Sequence, residues 1–320
     1  MAYSRSPRKP RAYRRKPRYT RKRTTRSARP SRYTARTRRY TRKAPMSKKR
    51  ILNITTVKKR DNMLTTTNML TVGGTPAATY SPQPAVIGPV TATDVTVGDV
   101  NCLLWCATAR DLTDAAGNAN LRVNEAVRTS TTPYMVGLRE SVEVQLSSGL
   151  PWQWRRICFT FRGPIPNVPA TSTFNYYAEL SDGYRRVVNN LDGNRNQGGQ
   201  YWLYELLFAG QNSSDWNDPM TAKTDQTRVD IKYDRTRTLA TGNDRGMIRK
   251  YNFYHAMNKT LAYNDDETGA TERTSYYSVN SKVGMGDFYV VDLIRSRNGG
   301  NAQTDNMSFN PSATLYWHEK

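Results

Sequence analysis

The chain has 320 residues, with 49 basic against 26 acidic side chains and a net charge of +23. No apolar run approaches a bilayer span, no apolar stretch follows the basic start as a secretory signal would require, and three cysteines are too few for a disulfide framework, so reduced thiols in cytosol or nucleus are expected. The charge is unevenly spread: residues 1–60 hold 17 Arg, 8 Lys and no acid, which leaves 24 basic against 26 acidic residues in 61–320, a net of −2.

A run of like charge this dense repels itself and stays extended until a polyanion collapses it. It also lacks Leu, Ile, Val, Phe, Trp and Cys before Ile51, so it has nothing with which to build a core. Residues 1–47 are therefore expected to be a disordered basic arm. Its guanidinium and ammonium groups at Arg11, Arg14, Arg15, Lys16, Arg18, Arg21, Lys22, Arg23, Arg36, Arg38 and Arg39 suit phosphate. Arg grips phosphate through a planar fork and also stacks on bases. Tyr13, Tyr19, Tyr33 and Tyr40 add stacking faces that tolerate any base, and Pro7, Pro10, Pro17, Pro30 and Pro45 keep the chain out of helix. The pattern suits sequence-indifferent binding along a flexible, single-stranded nucleic acid. A solvated tail, or an import signal alone, is the plainer reading, but import needs only a short basic cluster.

Residues 48–60 read KKR-ILNITTV-KKR. The triplets Lys48-Lys49-Arg50 and Lys58-Lys59-Arg60 flank seven residues of high β-propensity. The expectation is a first strand clamped by basic residues that serve nucleic acid and, as a loosely spaced pair, nuclear import. An ordinary strand with solvated flanks is the alternative.

The body, 48–320, reads as many short strands between Gly-, Pro-, Asn- and Asp-rich loops. Residues 73–90 are a loop or strap. Residues 102–107 are a strand buried on both faces, and 110–132 a long polar connection. From Tyr134, the residues Tyr134, Val136, Leu138, Val142, Val144 and Leu146 share one parity, with Glu140 marking a bulge or an end. In 151–162, Ile157, Phe159 and Phe161 oppose Arg156, Cys158, Thr160 and Arg162. Further strands are expected at 184–188, 201–208, 227–233, 248–255, 275–283, 287–294 and 313–317, and no long stretch shows convincing helical periodicity. The predicted class is all-β: a single eight-stranded antiparallel β-sandwich of the jelly-roll kind, with long loops. A closed barrel of another topology is the alternative.

The acid-free arm beginning MAYSR, the stretch SKKRILNITTVKKRDNML and PWQWRRICFTFRGP together resemble the capsid proteins of genomoviruses, which are small circular single-stranded DNA viruses related to geminiviruses. The likeness is most specific over the arm, 47–64 and 151–164. It implies a jelly-roll shell domain, icosahedral self-assembly as a homo-oligomer, an inward arm on single-stranded DNA, and recognition by host nuclear import receptors, in virion and host nucleus and without a membrane. Related geminivirus capsids have been discussed as carrying a zinc finger. Here His255 and His318 stand far in sequence from Cys102, Cys106 and Cys158, and a zinc site needs four ligands at close spacing, so buried thiols and no cofactor are expected.

No enzyme signature is present. There is no Gly-Lys pair for a P-loop, Tyr289 stands where Gly284-Met-Gly286 needs a third glycine, and the two histidines are too separated for a metal-dependent nickase. Asp265-Asp266-Glu267 could hold a hard cation, tip a solvated loop, or meet a neighbouring subunit's arginine. Trp152 and Trp154 beside Arg155 and Arg156 suit either base stacking or, preferably, anchorage of a sheet corner or a subunit contact. The reading is a non-enzymatic capsid subunit; a cellular nucleic-acid-binding protein with a basic tail is the alternative.

Overall fold

The computed structural model describes residues 46–71, 76–91, 99–180, 183–191 and 198–320, except for the side chains of Lys48 and Lys49. Two units divide the chain, Met1–Met46 and Ser47–Lys320. Of the first, only Met46 is described; the arm residues named above, Arg11 to Arg39 and Tyr13 to Tyr40, lie outside the described residues.

Two antiparallel sheets form the second unit. The first runs β1 (Val57–Met63), β14 (Met307–Glu319), β5 (Tyr134–Leu146) and β10 (Met247–Thr260), with β3 (Ala85–Ile87) also on β14. The second runs β4 (Asn101–Cys106), β13 (Asp287–Ser296), β6 (Trp152–Phe161) and β9 (Asp230–Leu239). Alternating strand directions put the connections 147–151, 240–246 and 297–306 at one end. The ends of β4, β6, β10 and β14 and the starts of β1, β5, β9 and β13 lie at the other. Smaller pieces complete the unit: β2 (Thr65–Thr67) parallel to β8 (Gly183–Val188), β7 (Ala178–Leu180) antiparallel to β8, and the hairpin β11 (Asp266–Thr268) and β12 (Thr271–Arg273).

The sheets pack face to face. Trp154 of β6 meets Tyr251 and Phe253 of β10 and Phe309 of β14 edge-on, with ring centroids 5.3–5.7 Å apart. Such aromatic contacts contribute beyond the area they bury. The other face of the second sheet is also buried. Cys102, Leu104, Cys106, Ile157, Phe159, Tyr289, Val291 and Leu293 pack against Ile165, Val168, Phe174, Tyr176, Met220 and Ala222 and the helix α2 (Gly199–Leu207). Strands covered on both sides need apolar residues at both parities, which is why β4 and β13 read as continuous apolar runs.

Several expectations fail for identifiable reasons. Residues 201–208 lie mostly in helix α2, not a strand. Gln200, Leu203, Tyr204 and Leu207 are its buried residues, at the spacing of one helical face. Residues 51–55 belong to a second helix, α1 (Lys48–Thr55), whose N-cap Ser47 accepts from the Arg50 N–H. β14 ends opposite Val57, so residues upstream have no partner strand there, and β-propensity without a partner does not make a strand. Residues 275–283 form no strand beyond an isolated bridge at Ser278. The strand expected at 227–233 begins at Asp230 and runs on to Leu239.

Glu140 does not bulge or end its strand. The bulge falls at Val136, which the registers with both β14 and β10 skip between Met135 and Gly137. Parity flips there, so Met135 is core at 1 % exposure and Tyr134 is 40 % exposed. Glu140 keeps its inward parity because cations await it, as described below.

Candidate nucleic-acid interface

Strand periodicity decides what the second basic triplet can do. In β1 successive side chains alternate between faces, so Lys58 and Arg60 are exposed while Lys59 is buried. The Lys59 ammonium lies 3.5 Å from the Glu319 carboxylate, and it donates to the carbonyls of Asn124 (3.1 Å) and Val127 (2.9 Å). Lys59 is therefore a structural cation, and the reading that gave it a nucleic-acid or import contact is corrected for the folded body. Arg60 pairs loosely with Glu125 at 3.5 Å, both about two-thirds exposed, an arrangement worth little. Arg50, in the first turn of α1, is exposed.

Lys58 and Arg60 border a shallow depression of about 610 Å³ on the outer face of the first sheet. Arg139, Tyr254, Tyr316 and His318 also line it. Sequence reading did not single out these four as binding residues. They meet only through the register of four strands.

Trp152 and Trp154 are 1 % exposed and Arg155 and Arg156 are buried, so none offers a base-stacking surface. Arg155 grips Asp234 through two hydrogen bonds of 2.9 and 2.7 Å and donates to the carbonyls of Pro219 and Ala222. Arg156 belongs to a four-charge knot. It donates to Asp292 at 2.7 and 2.9 Å and to Glu140 at 2.8 Å; Arg186 donates to Glu140 at 3.0 Å and to Asp292 at 3.1 Å. Two cations and two anions cancel, and every member is at most 1 % exposed. Burial pushes the Asp292 carboxyl up, but Arg156 and Arg186 outweigh it and hold the group below its ordinary value.

The polar connection 107–133 is likewise pinned by buried arginines. Arg110 meets Asp61 at 2.7 Å. Arg128 meets Asp265 at 2.5 and 3.1 Å and stacks 3.8 Å from the Tyr263 ring. Asp265 is thus spent within the chain, while Asp266 and Glu267 sit on an exposed hairpin. Among the described residues no group of His, Cys, Asp and Glu is arranged to hold a metal.

All three thiols are free and buried. Burial pushes Cys102 up to about 12 and raises Cys106 and Cys158 strongly. The sequence separation of cysteine and histidine misleads at one place, since Cys158 Sγ lies 3.7 Å from His255 Nε2. One thiol and one imidazole, the latter kept neutral by burial, are half of a zinc site at most.

Comparison with models of known protein families gives no match, and no curated protein matches the chain. Among the described residues no helix is long and apolar enough to cross a membrane.

Proposed function

We propose that the chain is a viral capsid subunit of the genomovirus kind. It self-assembles into a small icosahedral shell, packages circular single-stranded DNA through its basic arm, and reaches the host nucleus through basic clusters in residues 1–60. The observation that carries this reading is the charge partition: 25 cations and no acid in residues 1–60, joined to 260 residues of net −2.

Strand order supports the jelly-roll part. Numbering the strands of the two main paths in chain order, the first sheet reads 1-8-3-6 and the second 2-7-4-5, the order of a jelly roll, a fold common in capsids. The resemblance in residues 1–64 and 151–164 supports the viral part. A near-neutral sandwich lets subunits approach each other, while the arm carries the attraction for polyanion. In a shell of about 60 copies the arms supply about 1,500 positive charges, on the scale of a single-stranded circle of one to a few thousand phosphates.

For import, Arg50, Lys58 and Arg60 are the exposed members of the two triplets whose side chains are described. Lys48 and Lys49 remain part of the proposal by sequence. The reading assigns no catalytic role and no cofactor.

Trypsin tests the packaging geometry. Free subunits are clipped quickly within 1–60, whereas filled particles protect most of those sites. Equal cleavage in both would mean that the arms are outside, and the packaging proposal fails.

A further inference from the structure

Three exposed cations on the outer face of the first sheet each stand opposite an aromatic ring on the neighbouring strand. Lys58 pairs with His318 and Arg60 with Tyr316 across β1 and β14; Arg139 pairs with Tyr254 across β5 and β10. All six line one depression. Directly opposed residues have Cβ atoms about 5 Å apart, so each ring has a cation within side-chain reach. The alternate residues point inward: Lys59, Trp317, Leu138 and His255 are buried.

We propose that this depression is a second nucleic-acid site, on the body rather than the arm. It takes a short run of unpaired nucleotides, with bases against Tyr254, Tyr316 and His318 and phosphates on Lys58, Arg60 and Arg139. The proposal rests on the packaging reading and deepens it.

Several features fit this occupant. Tyr254 is 58 % exposed, an open ring on this face. It lies over Gly137, where a Cβ would come within 2.8 Å of the tyrosine hydroxyl, so the glycine leaves room for the ring to lie across the sheet. Burial and the Lys58 charge both depress the His318 pKa, so at neutral pH the imidazole is an uncharged stacking face. Glu125 is the lone acid in the lining, and its loose, solvated pairing with Arg60 is readily exchanged for phosphate. The depression carries Lys58, Arg60 and Arg139 against Glu125 alone, so a polyanion is drawn to it. Base–aromatic stacking requires unpaired bases and tolerates any sequence, which matches the demands of a packaged single strand. Because β1 follows the arm in the chain, a strand held by the arm has a high effective concentration at Lys58 and Arg60.

The test uses the full-length protein and an oligothymidylate of about 30 nucleotides carrying photoreactive iododeoxyuridine, with adducts mapped by mass spectrometry. The expected result is crosslinks at Tyr254, Tyr316 or His318 in addition to the arm, absent with a duplex of the same length. The variants Tyr254→Ala/Tyr316→Ala and Arg139→Ala, checked for unchanged melting, should lower affinity by about tenfold in salt high enough to weaken the arm. Crosslinks confined to residues 1–60, with affinity unchanged in both variants, would overturn the second site and leave packaging by the arm standing. No binding at all would overturn the packaging reading and the site together. A groove that takes no nucleotide but becomes protected from hydrogen exchange on assembly would overturn the site and assign this face to a subunit contact.

Discussion

Lys59 and Glu319 face each other in the interior, 3.5 Å apart and almost without solvent. They join the first strand of the fold to the last. Glu319 also accepts from the Thr129 backbone N–H (3.1 Å) and hydroxyl (2.5 Å) and from the Trp317 indole (2.8 Å). One ion pair therefore ties β1, β14 and the 107–133 connection together.

Replacing Lys59 by Met leaves the Glu319 charge buried without its cation, which costs about 3–5 kcal/mol. Lys58→Ala and Arg60→Ala, at exposed positions, stay within about 0.5 kcal/mol. Urea unfolding of the three variants checks this. If Lys59→Met unfolds at the same midpoint as Lys58→Ala, the pair is not structural.

The buried knot of Glu140, Arg156, Arg186 and Asp292 makes a similar prediction with a twist. Asp292→Asn alone leaves Arg156 and Arg186 undercompensated and destabilises by about 3–5 kcal/mol. Removing one charge of each sign, as Glu140→Leu/Arg186→Leu, costs clearly less than the two single replacements summed, because the survivors still balance. Additive losses in this cycle would mean that the four charges do not act as a unit.

Asp287 sets a pH dependence of opposite sign to an ordinary ion pair. Burial raises it to about 7, although Ser278 donates to it through N–H (2.9 Å) and hydroxyl (2.7 Å). In the unfolded chain the same carboxyl ionises near 3.8. Between these values the folded state holds the extra proton, so this group's contribution to stability falls as pH rises from about 4 to 7 and then levels off. Asp287→Asn keeps an acceptor for Ser278 and cannot ionise. Relative to the native chain it should gain stability with rising pH, by about 1–4 kcal/mol at pH 8 compared with pH 4. Denaturant midpoints of both proteins across that range test it, and a constant difference would contradict it.

The charge partition, the all-β class and the strands expected at 102–107, 134–146, 151–162 and 287–294 were legible in the sequence, because alternation and apolar density survive without context; of β14 (Met307–Glu319) only 313–317 was. Residues 199–207 were not, since YWLYELL has the apolar density of a buried strand, and only the 200-203-204-207 spacing betrays a helix. Glu140 looked like an interruption because its partners, Arg156 and Arg186, come from two other strands. Lys59 looked like its neighbours in the triplet; its inward turn follows from period two only once β1 is known to start at Val57. The depression beside Tyr254 and Tyr316 depends on the order β1-β14-β5-β10, which no single stretch of sequence encodes.

Deleting residues 1–45 should leave the melting temperature of the body nearly unchanged, because that segment has no Leu, Ile, Val, Phe or Trp to contribute to a core. The same deletion should remove most of the affinity for single-stranded DNA and flatten its salt dependence, since counterion release scales with the number of cations engaged. A large loss of stability on truncation would show that the arm packs on the fold.

The central claim is that this chain closes into a shell around single-stranded DNA. Particle imaging of the full-length protein, mixed with a single-stranded circle and treated with nuclease, tests it most directly. The account predicts closed particles of uniform size whose DNA survives digestion. Monomers or irregular aggregates at every salt and protein concentration, with all DNA digested, would contradict it.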